Sequence, residues 1–476
     1  MIADMRKKLL YQPRIYHSLD GEYFEFPEKL HFLISSSFSA SDFRWAIDKL
    51  SEFFKKTGRI RWQISALDGK LPPLSVIVGS PEDKALKNIC IRYGLNPQLL
   101  GEEGYCLLID KEGIRISAYS SAGVFYAVQT LASFRDDNVL RGVFVADFPY
   151  KPFRAIHLPA RGNESLPLLN RLVSEVLPVH RVNTLILQID YAFEFKTHPE
   201  IREHNYFTRS QIRKLVHNAR MHNVKVIPLL NCYGHQSWRK ERIGALLRAY
   251  PEFNETPDWN IQYCANWCPS NPGVYDVVYD LIDELLEAFE TNTIHLGMDE
   301  VFEFGKCPRC REMNLSPAEW FAKVVNSLYS HVCKKRNARM LMWGDRLVDG
   351  YRTPYNCMNG ARNGTHHAIR MIPRDIILCD WHYHLHKTYP SVDQFERAGF
   401  DYVICGWKNI KAVNAFLKYA ERYGKQHYLG IVATNWGKTL EQLHFFLENQ
   451  TVHDDVRAAG ECFYRLAEVA WTGFRR

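Results

Sequence analysis

The sequence predicts an α/β protein, a (β/α)8 TIM barrel preceded by a small α+β domain. Three observations point there. The chain has 476 residues, too many for one ordinary domain and about right for a barrel with a smaller partner. Two prolines punctuate Asp147-Phe148-Pro149-Tyr150-Lys151-Pro152 and set the expected boundary, giving domains of 1–148 and 149–476. Beyond that boundary, apolar β-branched runs alternate with helical periodicity through to the C-terminus.

Before the boundary, helical spacing runs over Ser39–Lys56, with Phe43, Ile47, Leu50 and Phe54 on one face. Leu74–Gly79 reads as a strand. Tyr105–Ile109 and Ile114–Ala118 read as a hairpin around Lys111-Glu112-Gly113, and Ser121 as the cap of a helix over Ala122–Phe134. After the boundary the expected strands are Arg154–Leu158, Thr184–Asp190, Val224–Leu230, Thr293–Asp299, Met340–Asp345, Ile376–Tyr383, Tyr402–Trp407 and Tyr428–Trp436. Helical patterns fall between them, over Ser210–His222, Val274–Glu290, Ala318–Lys335, Ser391–Ala398 and Lys411–Tyr423. A doubly wound open sheet would want a glycine-rich phosphate loop after its first strand, and Pro159-Ala160-Arg161-Gly162-Asn163 is not one.

Composition narrows the function classes. Sixty Lys and Arg stand against 53 Asp and Glu, and the basic residues are scattered among acids, so no nucleic-acid partner is expected. The first residues carry no apolar core with a small-residue cleavage site, and no long apolar run follows; a soluble, cytoplasmic protein without a membrane partner is expected. Twelve cysteines are too dilute for a disulfide scaffold, and Cys106, Cys379 and Cys405 sit in apolar runs as buried thiols.

The chemistry concentrates at strand C-termini, where barrels build their sites. The second strand ends in Asp190, and the third runs into Asn231-Cys232-Tyr233-Gly234-His235. The fourth ends in Asp299-Glu300, the fifth in Trp343-Gly344-Asp345, the sixth in Asp380-Trp381-His382-Tyr383, the seventh in Trp407 and the eighth in Trp436. Neighbouring carboxylates at a strand end are costly to bury, and like charges so close push one pKa up, which supplies a protonated acid at neutral pH. Tryptophans around two acids suit a pyranose, whose C–H faces stack on indole. The blander alternatives are a helix-capping Asp299 or Asp345, a core His235, and core tryptophans.

Ile294-His295-Leu296-Gly297-Met298-Asp299-Glu300 resembles the His-x-Gly-x-Asp-Glu signature of glycoside hydrolase family 20, the β-N-acetylhexosaminidases. Phe153-Arg154-Ala155-Ile156 resembles that family's first barrel strand, Gly234-His235 its third-strand loop, and Ser120–Leu131 part of the domain before its barrel. Cys268-Pro269-Ser270-Asn271-Pro272 and Asp299–Phe302 look most like the hexosaminidase D and GcnA-like branch.

The resemblance implies a retaining, exo-acting hexosaminidase whose nucleophile is the substrate's own 2-acetamido oxygen; the alternatives are a catalytically silent sugar-binding barrel and a retaining glycosidase with a protein carboxylate nucleophile. It implies Glu300 as general acid and base, and Asp299 as the group that holds the acetamide N–H. It also implies Arg154 on ring hydroxyls, His235 beside the acids, and Trp343, Trp381, Trp407 and Trp436 as sugar walls. Asp190 and Asp345 are further binding candidates, and Tyr383 stands in for the acetamide-holding tyrosine. Two departures are visible. Met298 stands where many members carry Gly, and Trp436-Gly437-Lys438 lacks the usual Trp-x-Glu. No cofactor and no metal is expected. Cys264, Cys268, Cys307 and Cys310 match a zinc spacing only loosely, with free thiols or a local disulfide as the alternatives. The expected partner is a terminal N-acetylhexosamine of a glycoconjugate, with monomer and homodimer both open.

Overall fold

The computed structural model describes residues 9–27, 29–35, 44–54, 59–65, 71–136, 139–239, 242–258, 265–448 and 450–474. The chain divides into two compact units. One comprises residues 1–150, 179–181 and 468–475, the other 151–178 and 182–467 with the last residue. Among the described residues no helix is long and apolar enough to cross a membrane.

The first unit is a mixed sheet of β1 (Ile15–Glu25), β2 (Lys29–Ser35), β3 (Arg59–Ser65), β4 (Ser75–Gly79), β5 (Tyr105–Asp110), β6 (Gly113–Ala118), β7 (Arg135–Asp136) and β8 (Val139–Asp147). Its order is β1-β8-β5-β6-β4-β2-β3, with β7 on β8. Period-two alternation splits β5 cleanly. Tyr105, Leu107 and Ile109 join the core with Val124 and Leu131 of the helix Ser121–Ala132, while Cys106 and Leu108 face Cys90 of the helix Lys84–Arg92. The hairpin lies where the sequence places it. The cap does not: Ser120, not Ser121, accepts the Ala122 N–H through its side chain. The expected Ser39–Lys56 helix is described over Arg44–Phe54, its ends lying outside the described residues.

Asp147, 4% exposed, is the costly group of this unit. Burial pushes its carboxyl up to about 6, although the Trp471 indole N–H donates to it at 2.7 Å and Arg181 and Arg14 lie near. A carboxyl whose pKa rises on folding binds its proton more tightly in the native state, so stability falls as pH climbs from about 4 to about 6 and is level above. The loss amounts to at most about 3 kcal/mol at 1.36 kcal/mol per pKa unit. Thermal melts from pH 4 to 8 should show this decrement in the wild type, and Asp147→Asn should remove it while lowering stability throughout.

The second unit is the barrel. Its strands are β9 (Phe153–Pro159), β10 (Thr184–Gln188) and β11 (Lys225–Leu229), then, after the ribbon β12 (Ser237–Arg239) and β13 (Arg242–Ile243), β14 (Thr293–His295), β15 (Arg339–Trp343), β16 (Ile377–Trp381), β17 (Tyr402–Gly406) and β18 (Tyr428–Thr434). All eight barrel strands pair in parallel and close in the order β10-β11-β14-β15-β16-β17-β18-β9. These are the eight strands the alternation predicts, with helices at Arg209–Arg220, Pro272–Ala288, Pro317–Tyr329, Pro390–Ala398 and Ile410–Tyr423 between them.

Ala155, Ile186, Leu229, Leu341, Ile377, Val403 and Val432 fill the lower barrel interior, with Cys379, Cys405 and Trp343 among them. Two residues further along several of these strands come polar and aromatic side chains, Gln188, Asn231, Trp381 and Trp407, and four beyond Val432 comes Trp436. The barrel is thus an apolar plug with a polar upper layer.

Candidate active site

A cavity of about 390 Å³ opens on that layer, lined by Asp299, Glu300, His235, Asn231 and Gln188, by Trp381, Tyr383, Trp407 and Trp436, and by Pro159, Arg161, Asn356, Met358, Asn359 and His384. Larger concavities of about 780 and 870 Å³ lie around Arg213, with Glu194 and Glu290, and around Arg397, with Asp349; neither holds a pair of consecutive acids. Chemistry, not volume, selects the smaller one.

The acid pair owes its geometry to broken strand structure. On a strand, successive side chains point to opposite faces, so only one of two adjacent acids would face the cavity. The sequence expects a strand through Asp299, but β14 stops at His295. Gly297, Met298 and Glu300 then adopt left-handed backbone, with φ of 68°, 76° and 51°. That twist brings both carboxylates to one wall. Gly297 admits no side chain, since a Cβ there would sit 2.2 Å from Asn231 Oδ1. Met298, wholly buried, holds a conformation glycine adopts freely, a strain of roughly 1–3 kcal/mol of the kind that gathers at sites.

His235 binds the two acids together. Its Nε2 lies 3.1 Å from Asp299 Oδ2 and 3.5 Å from Glu300 Oε2. Gly234 lets this loop pass close to the acids, because a Cβ there would meet the Asp299 carbonyl at 2.5 Å. Burial pushes the Asp299 carboxyl up, but the charge and hydrogen bond of His235 outweigh it and hold the group below the usual carboxylate range. Asp299 is therefore the ionised member. Its Oδ1 is buried and has no hydrogen-bond partner among the described residues.

Asp345 works from behind. Its Oδ2 accepts the Glu300 backbone N–H at 3.0 Å and the Arg346 Nε–H at 2.6 Å, and its Oδ1 accepts the Trp381 indole N–H at 3.2 Å. It thus fixes an acid and an aromatic wall at once without itself lining the cavity. Asp190 does similar work, accepting Asn231 N–H at 3.0 Å and Gln188 Nε2–H at 2.8 Å. The Tyr383 hydroxyl accepts the Trp436 indole N–H at 2.7 Å and lies 3.0 Å from Thr434 Oγ1. Burial pushes its pKa far up, so it keeps its proton.

Most of the expected residues meet here, but four expectations need correction. Arg154 stands near the N-terminal end of β9, wholly buried, with its guanidinium donating to the carbonyl of Lys151 at 2.9 Å and to that of Pro152. It shares parity with Ile156 and Leu158, away from the barrel axis, and does not reach the cavity. Trp343 is 1% exposed and belongs to the plug, its ring 5.4 Å from that of Trp436. Asp345 and Asp190 brace cavity residues instead of lining the cavity themselves. The residue the sequence reading passed over is Arg161, just past β9 and on the parity of His157 and Pro159. Lys438 faces Glu441 at 3.7 Å and is not among the lining residues.

The profile of the glycosyl hydrolase family 20 catalytic domain matches residues 178–472, and that of the family's domain 2 matches residues 48–148. Beta-hexosaminidase 1 of Coccidioides posadasii is 26% identical over 68% of this chain and 58% of its own length. Hexosaminidase D of Bos taurus is 24% identical over 58% of this chain and 77% of its own. The chain spans about half the length of several such relatives, 48% for the beta-hexosaminidase of Porphyromonas gingivalis. Among solved structures, a beta-N-acetylhexosaminidase of Bacteroides fragilis superposes with a TM-score of 0.67 at 15% identity, covering 98% of this chain and 91% of that one. An exo beta-N-acetylglucosaminidase of Vibrio harveyi in complex with N-acetylglucosamine gives 0.65 at 18%, covering 98% and 78%. At these identities the structural likeness is one of fold. With the catalytic-domain profile spanning most of the chain and an Asp-Glu pair on the barrel's C-terminal face, the chain belongs to glycosyl hydrolase family 20.

Proposed function

We propose that this chain is an exo-acting, retaining β-N-acetylhexosaminidase that releases terminal β-linked GlcNAc or GalNAc, with the substrate's 2-acetamido oxygen as nucleophile. The observation that carries the proposal is Asp299 Oδ1, an ionised carboxylate oxygen buried at the cavity wall with no partner among the described residues. A buried acceptor of that kind is costly unless a ligand donor meets it, and the acetamide N–H is such a donor. The names borne by the relatives support the same chemistry.

Glu300 protonates the glycosidic oxygen as the acetamido oxygen closes on the anomeric carbon. Asp299 holds the N–H and stabilises the positive charge of the oxazolinium ion that forms. Glu300, now a carboxylate, removes a proton from the water that opens the ion, and configuration is retained. A protein nucleophile would have to face the acid across the scissile bond. Asp299 and Glu300 are consecutive and share His235, and among the described residues no other Asp or Glu lines the cavity. Tyr383, which accepts the Trp436 N–H, has its own proton for the acetamide oxygen. Trp381, Trp407 and Trp436 stack on the sugar, and Arg161 takes the ring-hydroxyl role that the sequence reading gives to Arg154.

Chromogenic β-GlcNAc and β-glucoside substrates test this directly. Turnover of the first with little of the second is expected, together with tight inhibition by a thiazoline mimic of the oxazoline. Equal turnover of both would refute the proposal. Arg161→Ala should raise KM about tenfold or more with a smaller change in kcat, read from initial rates.

A further inference from the structure

We propose that Cys268, Cys307, Cys310 and Glu255 form a structural zinc site beside the segment that carries the acid pair. Cys268 Sγ lies 3.2 Å from Cys307 Sγ and 3.6 Å from Cys310 Sγ, and one donor atom from each of the four residues falls within 4.8 Å of every other. Tetrahedral zinc with Zn–S near 2.3 Å sets its sulfurs roughly 3.8 Å apart, so three thiolates need only small shifts to close on an ion. The thiols pack against buried Trp320, away from water.

Glu255 supplies the independent observation. It is 0% exposed; its Oε1 accepts the Lys306 N–H at 2.7 Å, while Oε2 is buried and, among the described residues, makes no hydrogen bond that meets ordinary geometry. The neighbours of that carboxylate are the Cys307 and Cys310 thiols, weak donors that serve a buried carboxylate poorly, and a cation serves it better. Donors that support thiolates are present too: Ser270 Oγ lies 3.1 and 3.2 Å from Cys268 and Cys310 Sγ, and the Cys310 N–H donates to Cys307 Sγ at 3.4 Å. Three soft sulfurs and one oxygen, four donors in all, favour zinc over magnesium or calcium. Cys264 lies outside the described residues and is not part of this donor set.

Cys307 follows Glu300 by seven positions, and the intervening residues form no regular element. An ion here would pin that half-buried stretch to the loops bearing Glu255 and Cys268, so the site would stabilise the fold near the acids without touching substrate. The inference stands apart from the proposed activity.

Elemental analysis of protein purified without chelators should find about one zinc per chain. Cobalt exchanged into the site should give intense thiolate-to-metal absorption in the near ultraviolet and tetrahedral visible bands. Stripping with a strong chelator should lower the melting temperature by several degrees, with zinc restoring it. Glu255→Gln should fold and hold zinc at least tenfold more weakly in chelator competition. Folded wild-type protein that takes up neither metal overturns the proposal, as does a non-reduced mass short by two hydrogens with Cys268 and Cys307 joined. Zinc held unweakened in Glu255→Gln but lost in Cys264→Ser overturns the donor set.

Discussion

Glu300→Gln should lower kcat by about 10²–10⁴-fold on substrates with a sugar or alkyl leaving group, the usual contribution of a positioned proton donor. The loss should shrink towards unity on a dinitrophenyl glycoside, whose phenolate leaves without protonation. The side chain keeps its shape in this variant. What Asp345 holds is the Glu300 backbone N–H, at 3.0 Å, so the contact survives and the melting temperature should stay within a degree or two of wild type. Steady-state rates across a leaving-group series, with a melt beside them, check both statements. A loss of equal size on every leaving group would mean that Glu300 holds the ground state and does not donate the proton.

Why the acid is legible in sequence while its geometry is not comes down to what a period can carry. Strand parity is a local property. Trp381 and Tyr383 share a side, as do Leu341 and Trp343, and the structure follows that parity at the barrel strands other than β14. Parity also speaks against Arg154, since the apolar residues that plug the barrel require Ala155 inside and hence Arg154 outside. It points to Arg161 instead, two residues beyond Pro159. Depth is what parity lacks. Trp343 has the right side but lies one layer too low, because β15 sets it level with Cys379 and not with Trp381. The left-handed run at Gly297, Met298 and Glu300 has no periodic signature, and methionine at φ 76° gives no sequence hint at all. Asn356, Met358 and Asn359 come from a long connection after β15, where no pattern ties side chains to a face. In the first unit, β1 carries no strand signature because its side chains alternate weakly between exposed and half-buried positions, whereas β8 is an apolar run that lies against the domain boundary.

Asp299→Asn should cost about 10²–10³-fold in kcat on N-acetylated substrates, or roughly 3–4 kcal/mol of transition-state stabilisation. His235 Nε2, 3.1 Å from Oδ2, will draw the amide oxygen to its side if it stays a donor. The amide NH2 then occupies the Oδ1 position and confronts the acetamide N–H, donor against donor. The orienting bond and the negative charge that steadies the oxazolinium are lost together. Burial raises the pKa of this carboxyl and His235 more than reverses the effect, so the native charge persists below the ordinary carboxylate range and no mild acidification of the wild type reproduces the variant. Because the acetamide is misplaced in both ground and transition states, affinity for a thiazoline mimic should fall with kcat and by a comparable factor, measured as Ki beside the rate. A 2-hydroxy glycoside, which has no acetamide to hold, should be hydrolysed no worse by the variant than by wild type. Were Asp299→Asn to keep near-native rates and inhibitor affinity, Oδ1 would not be the acetamide acceptor, and the nucleophile would have to be sought elsewhere in the cavity.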